Sequence, residues 1–319
     1  MAPRKKSLLI GINYTGSRHA LKGCQADIDN VAEFLKYRGY NNTHHDRVML
    51  SDNAALSPLS PYWPTGHNIL AAMDWLVSEP GCTLFLQYSG HGAQIPDRDH
   101  TRGGTGILDT IVPIDYEVNG QISSTLLHEH LVTNMAPGCT LFILMDCCHS
   151  GSAVELPYVY RSDADGRISL LDNVRKGAQL VAEAQELFSG GFKFEKAGEA
   201  RQLLAGATDF FRGLKHADEQ QEEGLQGNDF EGQYGSERKM VTMFSGCRDD
   251  QTSADANIAG QSTGAMTWAF LQIMRQDPNP TYARTLQLTR QMLDEHNYKQ
   301  IPQLSCGVDI ELDNMRLLV

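Results

Sequence analysis

A histidine and a pair of cysteines each follow an apolar run in this sequence of 319 residues. The run from Thr83 to Tyr88 leads into Ser89-Gly90-His91-Gly92, and the run from Thr140 to Met145 leads into Asp146-Cys147-Cys148. If both runs are parallel strands of an open α/β sheet, their carboxyl ends share one edge, where His91 would meet a cysteine. An imidazole beside a thiol favours the thiolate, which attacks carbonyl carbons. The expected chemistry is acyl transfer through a cysteine nucleophile.

Cys148 is the better nucleophile candidate of the adjacent pair. Side chains alternate along a strand, so Asp146 and Cys148 are expected on one face and Cys147 on the other. Cys148 also lies beside the turn-forming residues Ser150-Gly151. Gly92 and Cys148 could offer backbone N–H groups to a developing oxyanion, and glycine has no side chain to obstruct the substrate. Cys147 is expected to be a packing residue.

Two other functions compete with this interpretation. The first is a non-catalytic scaffold or protein quality-control factor, although such a protein has no chemical reason to keep both His91 and Cys148. The second is a redox or metal protein that uses Cys147 and Cys148. Adjacent cysteines on opposite faces of a strand suit neither a metal pair nor an easy disulfide. The seven cysteines contain no C-x-x-C pair, which argues against a zinc finger or a disulfide framework.

Hydrophobic patterning predicts the elements that must position these residues. Apolar runs bounded by turn residues predict strands at Ser7 to Asn13, Arg47 to Leu50, Thr83 to Tyr88, Thr140 to Met145 and Val241 to Ser245. Amphipathic spacing predicts helices from about Gln25 to Arg38, from Met266 to Met274 and from Tyr282 to Leu293. It predicts a further helix that begins after Thr65, with Thr65 as its N-cap. This alternation predicts an α/β fold with a central, mostly parallel sheet of about six strands and helices on both faces.

The chain is expected to form one catalytic domain in three portions. Residues 1–160 form a larger N-terminal portion that carries His91 and Cys148, and residues 240–319 form a smaller C-terminal portion. Residues 161–239 between them differ in composition and are interpreted as an insertion. Helical patterns at Ala178 to Leu187 and Ala200 to Leu214 precede a mobile acidic loop from Asp218 to Glu237.

Composition excludes several classes of function. The chain has 27 Lys and Arg against 39 Asp and Glu, a formal net charge of −12, and 41% hydrophobic residues. These values do not fit a disordered chain or a nucleic-acid-coating protein. No apolar run reaches the roughly 18 residues needed to cross a bilayer. We expect a soluble cytoplasmic protein, with the nucleus as a second location, and no nucleic-acid or membrane partner.

The complete pattern resembles the metacaspases, cysteine peptidases of the caspase-like clan, with an insertion of the modest length found in type I members. The Pro/Gln-rich prodomain usual in that type does not appear, as expected of a natural short form or a trimmed chain. Beyond the two segments above, the resemblance covers nearly the whole chain in family order, at Leu21 to Asp27, Ile111 to Asp115, Leu156 to Tyr158, Ser245 to Asp255, Gly264 to Trp268 and Pro302 to Ser305.

The resemblance implies roles for individual residues. His91 would be the general base and Cys148 the nucleophile of a cysteine endopeptidase. The pocket for the residue before the scissile bond would contain Cys24, Asp27, Ser89 and Asp146. Two carboxylates there would pair with a substrate guanidinium or ammonium, so cleavage after Arg or Lys is expected, in protein or peptide substrates. Self-processing in the insertion, a monomeric state and a role in programmed cell death or protein quality control are also expectations from the family.

The sequence departs from the family at its calcium site. Many metacaspases need calcium and bind it through acidic residues at positions that correspond here to Leu108, Ser124 and Thr125. Calcium prefers six to eight oxygen ligands with enough negative charge to offset desolvation, and these three side chains carry none. Asp97, Asp99 and Asp109 are near in sequence but at neighbouring positions of the pattern. The expected enzyme is independent of calcium and uses no metal or other cofactor.

Overall fold

The computed structural model describes residues 3–97, 107–147, 151–162, 167–170, 230–247, 255–258, 261–298 and 300–319. Its strands are β1 Lys5–Gly11, β2 Arg47–Ser51, β3 Thr83–Ser89, β4 Gly92–Pro96, β5 Ile107–Ile111, β6 Ile122–Ser123, β7 Thr140–Asp146, β8 Tyr158–Ser162, β9 Ile168–Leu170, β10 Met240–Cys247, β11 Asp255–Ile258, β12 Gln261–Gly264 and β13 Ile301–Cys306. Its helices are α1 Cys24–Tyr37, α2 Gly66–Val77, α3 Tyr116–Asn119, α4 Ser124–His128, which continues as a π-helical turn Glu129–Thr133, α5 Phe230–Tyr234, α6 Ala265–Gln276 and α7 Tyr282–Glu295.

The central sheet has the strand order β2-β1-β3-β7-β10-β13-β8-β9. The first five strands are parallel to their neighbours, and β13, β8 and β9 each pair antiparallel. All five strands predicted from the sequence are present, and they are the five that form the parallel part. The predicted mostly parallel α/β sheet is confirmed, with eight strands in place of about six, because β8 and β9 extend the edge beyond β13.

Helices cover both faces of this sheet, as predicted. Alternate residues of the strands, such as Leu86 and Ile143, face α2 and the π-helical turn, whereas Phe85 and Phe142 face α1, α6 and α7. The rings of Phe85 and Phe142 stack with centroids 5.5 Å apart. The hydroxyl of Thr65 accepts a hydrogen bond from the Asn68 N–H, which confirms the predicted N-cap of α2. No helix in the described ranges is long and apolar enough to span a membrane.

The insertion predicted for residues 161–239 is described only at its two ends. Its first residue, Arg161, lies inside β8, where it is buried and its guanidinium donates to Gln303. The predicted helices at 178–187 and 200–214 lie outside the described residues. The end of the predicted acidic loop forms helix α5, because Phe230 and Tyr234, one turn apart, pack together and onto Val159. The acidic composition of this segment did not predict the apolar contact between these two residues.

Candidate active site

His91 leaves the carboxyl end of β3 and is half-buried. Its Nε2 atom lies 2.7 Å from the backbone carbonyl oxygen of His19, in the segment that connects β1 to α1. A carbonyl oxygen can only accept, so this contact places a proton on Nε2. In the neutral imidazole, Nδ1 is then the basic nitrogen. The main chain of His19 thus favours the tautomer in which Nδ1 is unprotonated.

Two tyrosine hydroxyls hold the backbone of His91. The His91 N–H donates to Tyr14 Oη at 3.0 Å, and Tyr88 Oη donates to the His91 carbonyl at 2.7 Å. Tyr14 Oη donates in turn to the Val112 carbonyl at 2.6 Å, and the two hydroxyl oxygens are 3.2 Å apart. Burial raises the pKa of both tyrosines well above the usual value, so both stay neutral donors.

Gly92 begins β4 and lies opposite Ile111 of β5. The preceding residue, His91, accepts a hydrogen bond at its carbonyl from the Val112 N–H at 3.2 Å. Hydrogen-bonded and non-hydrogen-bonded pairs alternate along an antiparallel ladder, so the N–H of Gly92 points away from β5. This orientation suits the predicted oxyanion contact of Gly92.

The register of the sheet brings three of the four predicted pocket residues together. Ser89 of β3 lies directly opposite Asp146 of β7, and both side chains are on the face covered by α1. Asp27, in the first turn of α1, accepts a hydrogen bond from Ser89 Oγ at 2.6 Å. Asp27, Ser89 and Asp146 are all buried. A buried acidic pair therefore lies below the carboxyl ends of β3 and β7.

Gly264, the last residue of β12, lies between the two carboxylates. Its N–H is 3.0 Å from both carboxylate oxygens of Asp27. A Cβ atom at position 264 would overlap the Asp146 carboxylate, so only glycine fits here. Asp146 also accepts from the backbone N–H of Thr267, in the first turn of α6, at 2.7 Å. The C-terminal portion thus contributes backbone groups that orient both acids.

Cys24, the fourth predicted pocket residue, is the first residue of α1 and lies one turn before Asp27. Its thiol is buried, and its N–H donates to the side chain of Asn13 at 3.0 Å. The carbonyl of Cys24 packs against Gly11, where no other side chain would fit. Cys24 therefore fixes the start of α1 beside the acidic pair.

The structure describes β7 and the residue after it, Cys147, and Cys148 lies outside the described residues. Cys147 is buried in the core on the α2 face, whereas Asp146 points to the opposite face. The predicted packing role of Cys147 is confirmed, and Asp146 and Cys147 lie on opposite faces as predicted. The assignment of Cys148 as nucleophile stays a prediction.

Hydroxyl groups occupy two positions where calcium-binding metacaspases are expected to carry acids. Ser124 Oγ and Thr125 Oγ1 donate to one carboxylate oxygen of Glu155, at 2.6 and 3.1 Å. Tyr234 Oη donates to the other oxygen at 2.8 Å. Glu155 is buried and has a left-handed backbone conformation, with φ of 49°. Three hydroxyl groups thus donate hydrogen bonds to this carboxylate.

Leu108, the third position of the family calcium site, and its acidic neighbour Asp109 both lie in β5. Leu108 lies in β5 opposite Ile95. Its neighbour Asp109 is buried and accepts from the side chains of Gln94, at 3.0 Å, and Ser152. No group of three or more His, Cys, Asp or Glu side chains that could hold a metal ion occurs within the described ranges.

Sequence reasoning missed Tyr14, His19, Gly264 and Glu155. Tyr14 and His19 follow β1, whose pairing with β3 brings them beside His91. Gly264 carried the family resemblance but had no assigned role. Glu155 was not found because its partners Ser124 and Tyr234 lie 31 and 79 residues away in the sequence.

Comparisons with known proteins agree with this geometry. Residues 5–157 match the family model described as metacaspase, peptidase C14 domain. Metacaspase-1A of Aspergillus niger is 37% identical over 306 residues, which cover 95% of this chain and 70% of that protein. Metacaspase-1 of Mycosarcoma maydis is 37% identical over 317 residues, covering 98% and 73%. A crystal structure from Geobacter sulfurreducens has a similar fold, with a TM-score of 0.54 at 18% identity and 98% coverage of both chains.

The sheet, its two helical layers and these similarities define a caspase-like cysteine-type endopeptidase. Within that class, the chain belongs to the metacaspase family.

Proposed function

We propose that the protein hydrolyses peptide bonds after Arg or Lys through a dyad of Cys148 and His91, without calcium. The observation that carries the specificity is the buried acidic pair, Asp27 and Asp146, on either side of Gly264. A guanidinium or ammonium group that reaches these carboxylates would pair with their negative charge, whereas an acidic substrate side chain would meet two like charges.

The proposed reaction starts with attack of the Cys148 thiolate on the substrate carbonyl carbon. His91 takes the thiol proton at Nδ1 and returns it to the leaving amine, while its Nε2–H stays on the His19 carbonyl. The N–H of Gly92, and that of Cys148, would stabilise the oxyanion. Water then attacks the acyl-enzyme with His91 again as the base, which frees the thiol and the carboxylic acid product.

Independence from calcium is supported by the donors around Glu155. A cation that binds this carboxylate would compete with hydrogen bonds from Ser124, Thr125 and Tyr234. None of these hydroxyl groups contributes the negative charge that would offset the dehydration of calcium. The side-chain bonds of Asp109 to Gln94 and Ser152 give the same argument for the nearest other acid.

Self-processing in the insertion belongs to the same proposal. Arg161 is a poor cleavage site because it is buried within β8 and paired with Gln303. Arg167 is exposed at the start of the segment that forms β9 and is a better candidate. Arg175, Lys176, Lys193 and Lys196 lie outside the described residues and remain candidates from the sequence.

The proposal also includes a monomeric enzyme in the cytoplasm, with the nucleus as a second location. The five cysteines whose side chains are described, Cys24, Cys82, Cys139, Cys147 and Cys306, are free thiols and buried. Free thiols are the usual state in a reducing compartment. A role in programmed cell death is part of the proposal on the basis of the family.

Peptidase assays on the purified full chain test the proposal. Fluorogenic peptides ending in Arg, Lys or Asp are offered to the wild type, Cys148→Ala and His91→Ala, each in EDTA and in millimolar calcium. We expect cleavage after Arg and Lys at equal rates in both buffers and none by either variant. Activity that requires calcium would contradict the proposed independence, and preference for Asp would contradict the acidic pocket. No cleavage by a folded wild type would favour a scaffold function.

A further inference from the structure

We propose that Tyr14 and Tyr88 are positioning residues for His91, and that their two hydroxyls determine where the imidazole lies. The inference rests on the proposed function, in which His91 is the general base. Neither tyrosine needs to touch the substrate for this role. Their effect would pass through the backbone of His91 and, for Tyr14, through a ring contact.

The backbone hydrogen bonds are the first argument. His91 uses its N–H on Tyr14 and its carbonyl on both Tyr88 and the Val112 N–H. The Tyr14 hydroxyl bridges His91 and Val112 at the start of the β4–β5 ladder. It accepts from the His91 N–H and donates to the Val112 carbonyl, in place of a direct bond between those two groups. The N–H and the carbonyl of His91 are therefore held by the side chains of Tyr14, which follows β1, and Tyr88, which lies in β3.

The ring contact is the second argument. The Tyr14 ring lies 4.6 Å from the imidazole of His91, centroid to centroid, with an angle of 37° between their planes. Together with the bond from Nε2 to the His19 carbonyl, this contact restricts rotation of the imidazole. Tyr14 and His19 both follow β1, so one segment supports the ring from two sides.

The backbone around the pair is adapted to it. Tyr14 has a φ of 51°, in the left-handed region that non-glycine residues rarely adopt. Such conformations persist where surrounding contacts determine them, and they cluster at functional sites. Gly90 leaves the space that the hydroxyls occupy, since a Cβ atom there would lie 2.7 Å from Tyr88 Oη and 3.1 Å from Tyr14 Oη.

Removal of single hydroxyls tests the proposal. Tyr14→Phe and Tyr88→Phe keep the rings and delete the bonds to His91. A displacement of a catalytic group by about 1 Å can lower a rate by about 100-fold. We expect kcat on an Arg peptide to fall by about 10-fold or more in each variant, with KM within about twofold of the wild type. Inactivation by iodoacetamide, which reports the reactive thiolate, should slow in parallel.

Tyr40→Phe is the matched control. Tyr40 is a buried tyrosine whose hydroxyl has no hydrogen-bond partner among the described residues, so its removal breaks no bond. We expect unchanged kcat, KM and inactivation rate. Gly90→Ala is a second route to the same effect, because it displaces both hydroxyls without deleting them, and it should also lower kcat with little change in KM.

The outcomes separate this inference from the proposed function. If His91→Ala keeps the wild-type kcat, His91 is not the base and both proposals fail. If His91→Ala is inactive but folded Tyr14→Phe, Tyr88→Phe and Gly90→Ala keep kcat and the inactivation rate, only the positioning role is overturned. Thermal unfolding of each variant identifies any that do not fold, and the remaining variants decide the question.

Discussion

In the proposed function, the specificity of the pocket depends on how Asp27 and Asp146 are held. Each carboxylate is oriented by a backbone N–H of the C-terminal portion, Gly264 for Asp27 and Thr267 for Asp146. These two donors are neutral, and in the proposed function the positive charge comes from a basic substrate side chain. The serine between them, Ser89, satisfies a lone pair of Asp27 without adding charge.

Asp27→Asn should separate charge from shape in this pocket. Asparagine has the size of aspartate and can still accept from Gly264, so the pocket stays formed while one negative charge is lost. A hydrogen bond to a charged group contributes about 1.5–3 kcal/mol, which corresponds to a loss of about 10- to 100-fold in kcat/KM for Arg peptides.

The control for this prediction lies on the same helix. Asp29→Asn makes the same change at an exposed position two residues further along α1 and should leave kcat/KM within about twofold. Equal losses in both variants would indicate a general effect of charge, and no loss in Asp27→Asn would remove Asp27 from the specificity site.

At the level of elements, hydrophobic periodicity predicted the parts of the fold that bury apolar faces. The five parallel strands and helices α1, α2, α6 and α7 each carry a sustained pattern, and all are present. The β8 and β9 strands were missed because β8 contains the charged Arg161 and β9 has only three residues. Neither the contact of Tyr14 with His91 nor the cluster on Glu155 is visible in local sequence. Pairing of β1 with β3 creates the first, and packing of helices α4 and α5 around the segment between β7 and β8 creates the second.

The thermal stability of the protein should become responsive to calcium if acidic residues are introduced into helix α4, beside Glu155 in the loop after β7. Ser124→Asp with Thr125→Asp places two carboxylates against Glu155 in place of two donors. Repulsion should lower Tm in EDTA, on the order of 5 °C, and millimolar calcium should raise it again. The wild type should show no calcium shift.

Asn53→Asp with Ser57→Asp is the control for added charge, since both residues lie on an exposed loop. Its Tm should be close to that of the wild type with and without calcium, as followed by differential scanning fluorimetry. A calcium shift of equal size in the wild type would mean that the metal binds through ligands other than these positions.

Across the whole molecule, the two ends of the sheet have different tasks. The carboxyl ends of β1, β3 and β7 carry the candidate active site. At the amino ends, Arg4 before β1 binds Asp46, before β2, at 2.8 Å and also pairs with Glu79, which follows α2. The fully buried Lys6 contacts Glu79 at 3.1 Å and the Trp75 carbonyl at 2.5 Å. This charge cluster joins β1, the start of β2 and the end of α2, at the end of the sheet opposite the candidate active site.

The charge cluster predicts how stability depends on pH. The hydrogen bond from Arg4 lowers the pKa of Asp46, and bonds from Thr43 and Asn41 act in the same direction. The stabilisation is complete above the unfolded-state pKa of about 3.9 and is lost as the pH falls through the lower folded-state pKa. Asp46→Asn should cost about 1 kcal/mol at pH 7 and flatten the decrease below pH 4, because asparagine does not titrate.

Urea unfolding at pH 7, 4 and 3 measures this difference between wild type and Asp46→Asn. The two curves should converge as the pH falls, because a protonated Asp46 loses its charge-assisted bond to Arg4 much as asparagine does. Peptidase activity at pH 7 should be unchanged, since Asp46 lies at the opposite end of the sheet from His91 and Asp146. Parallel pH dependence in the two proteins would show that other carboxylates govern acid unfolding, and a loss of activity would show that the two ends of the sheet are coupled.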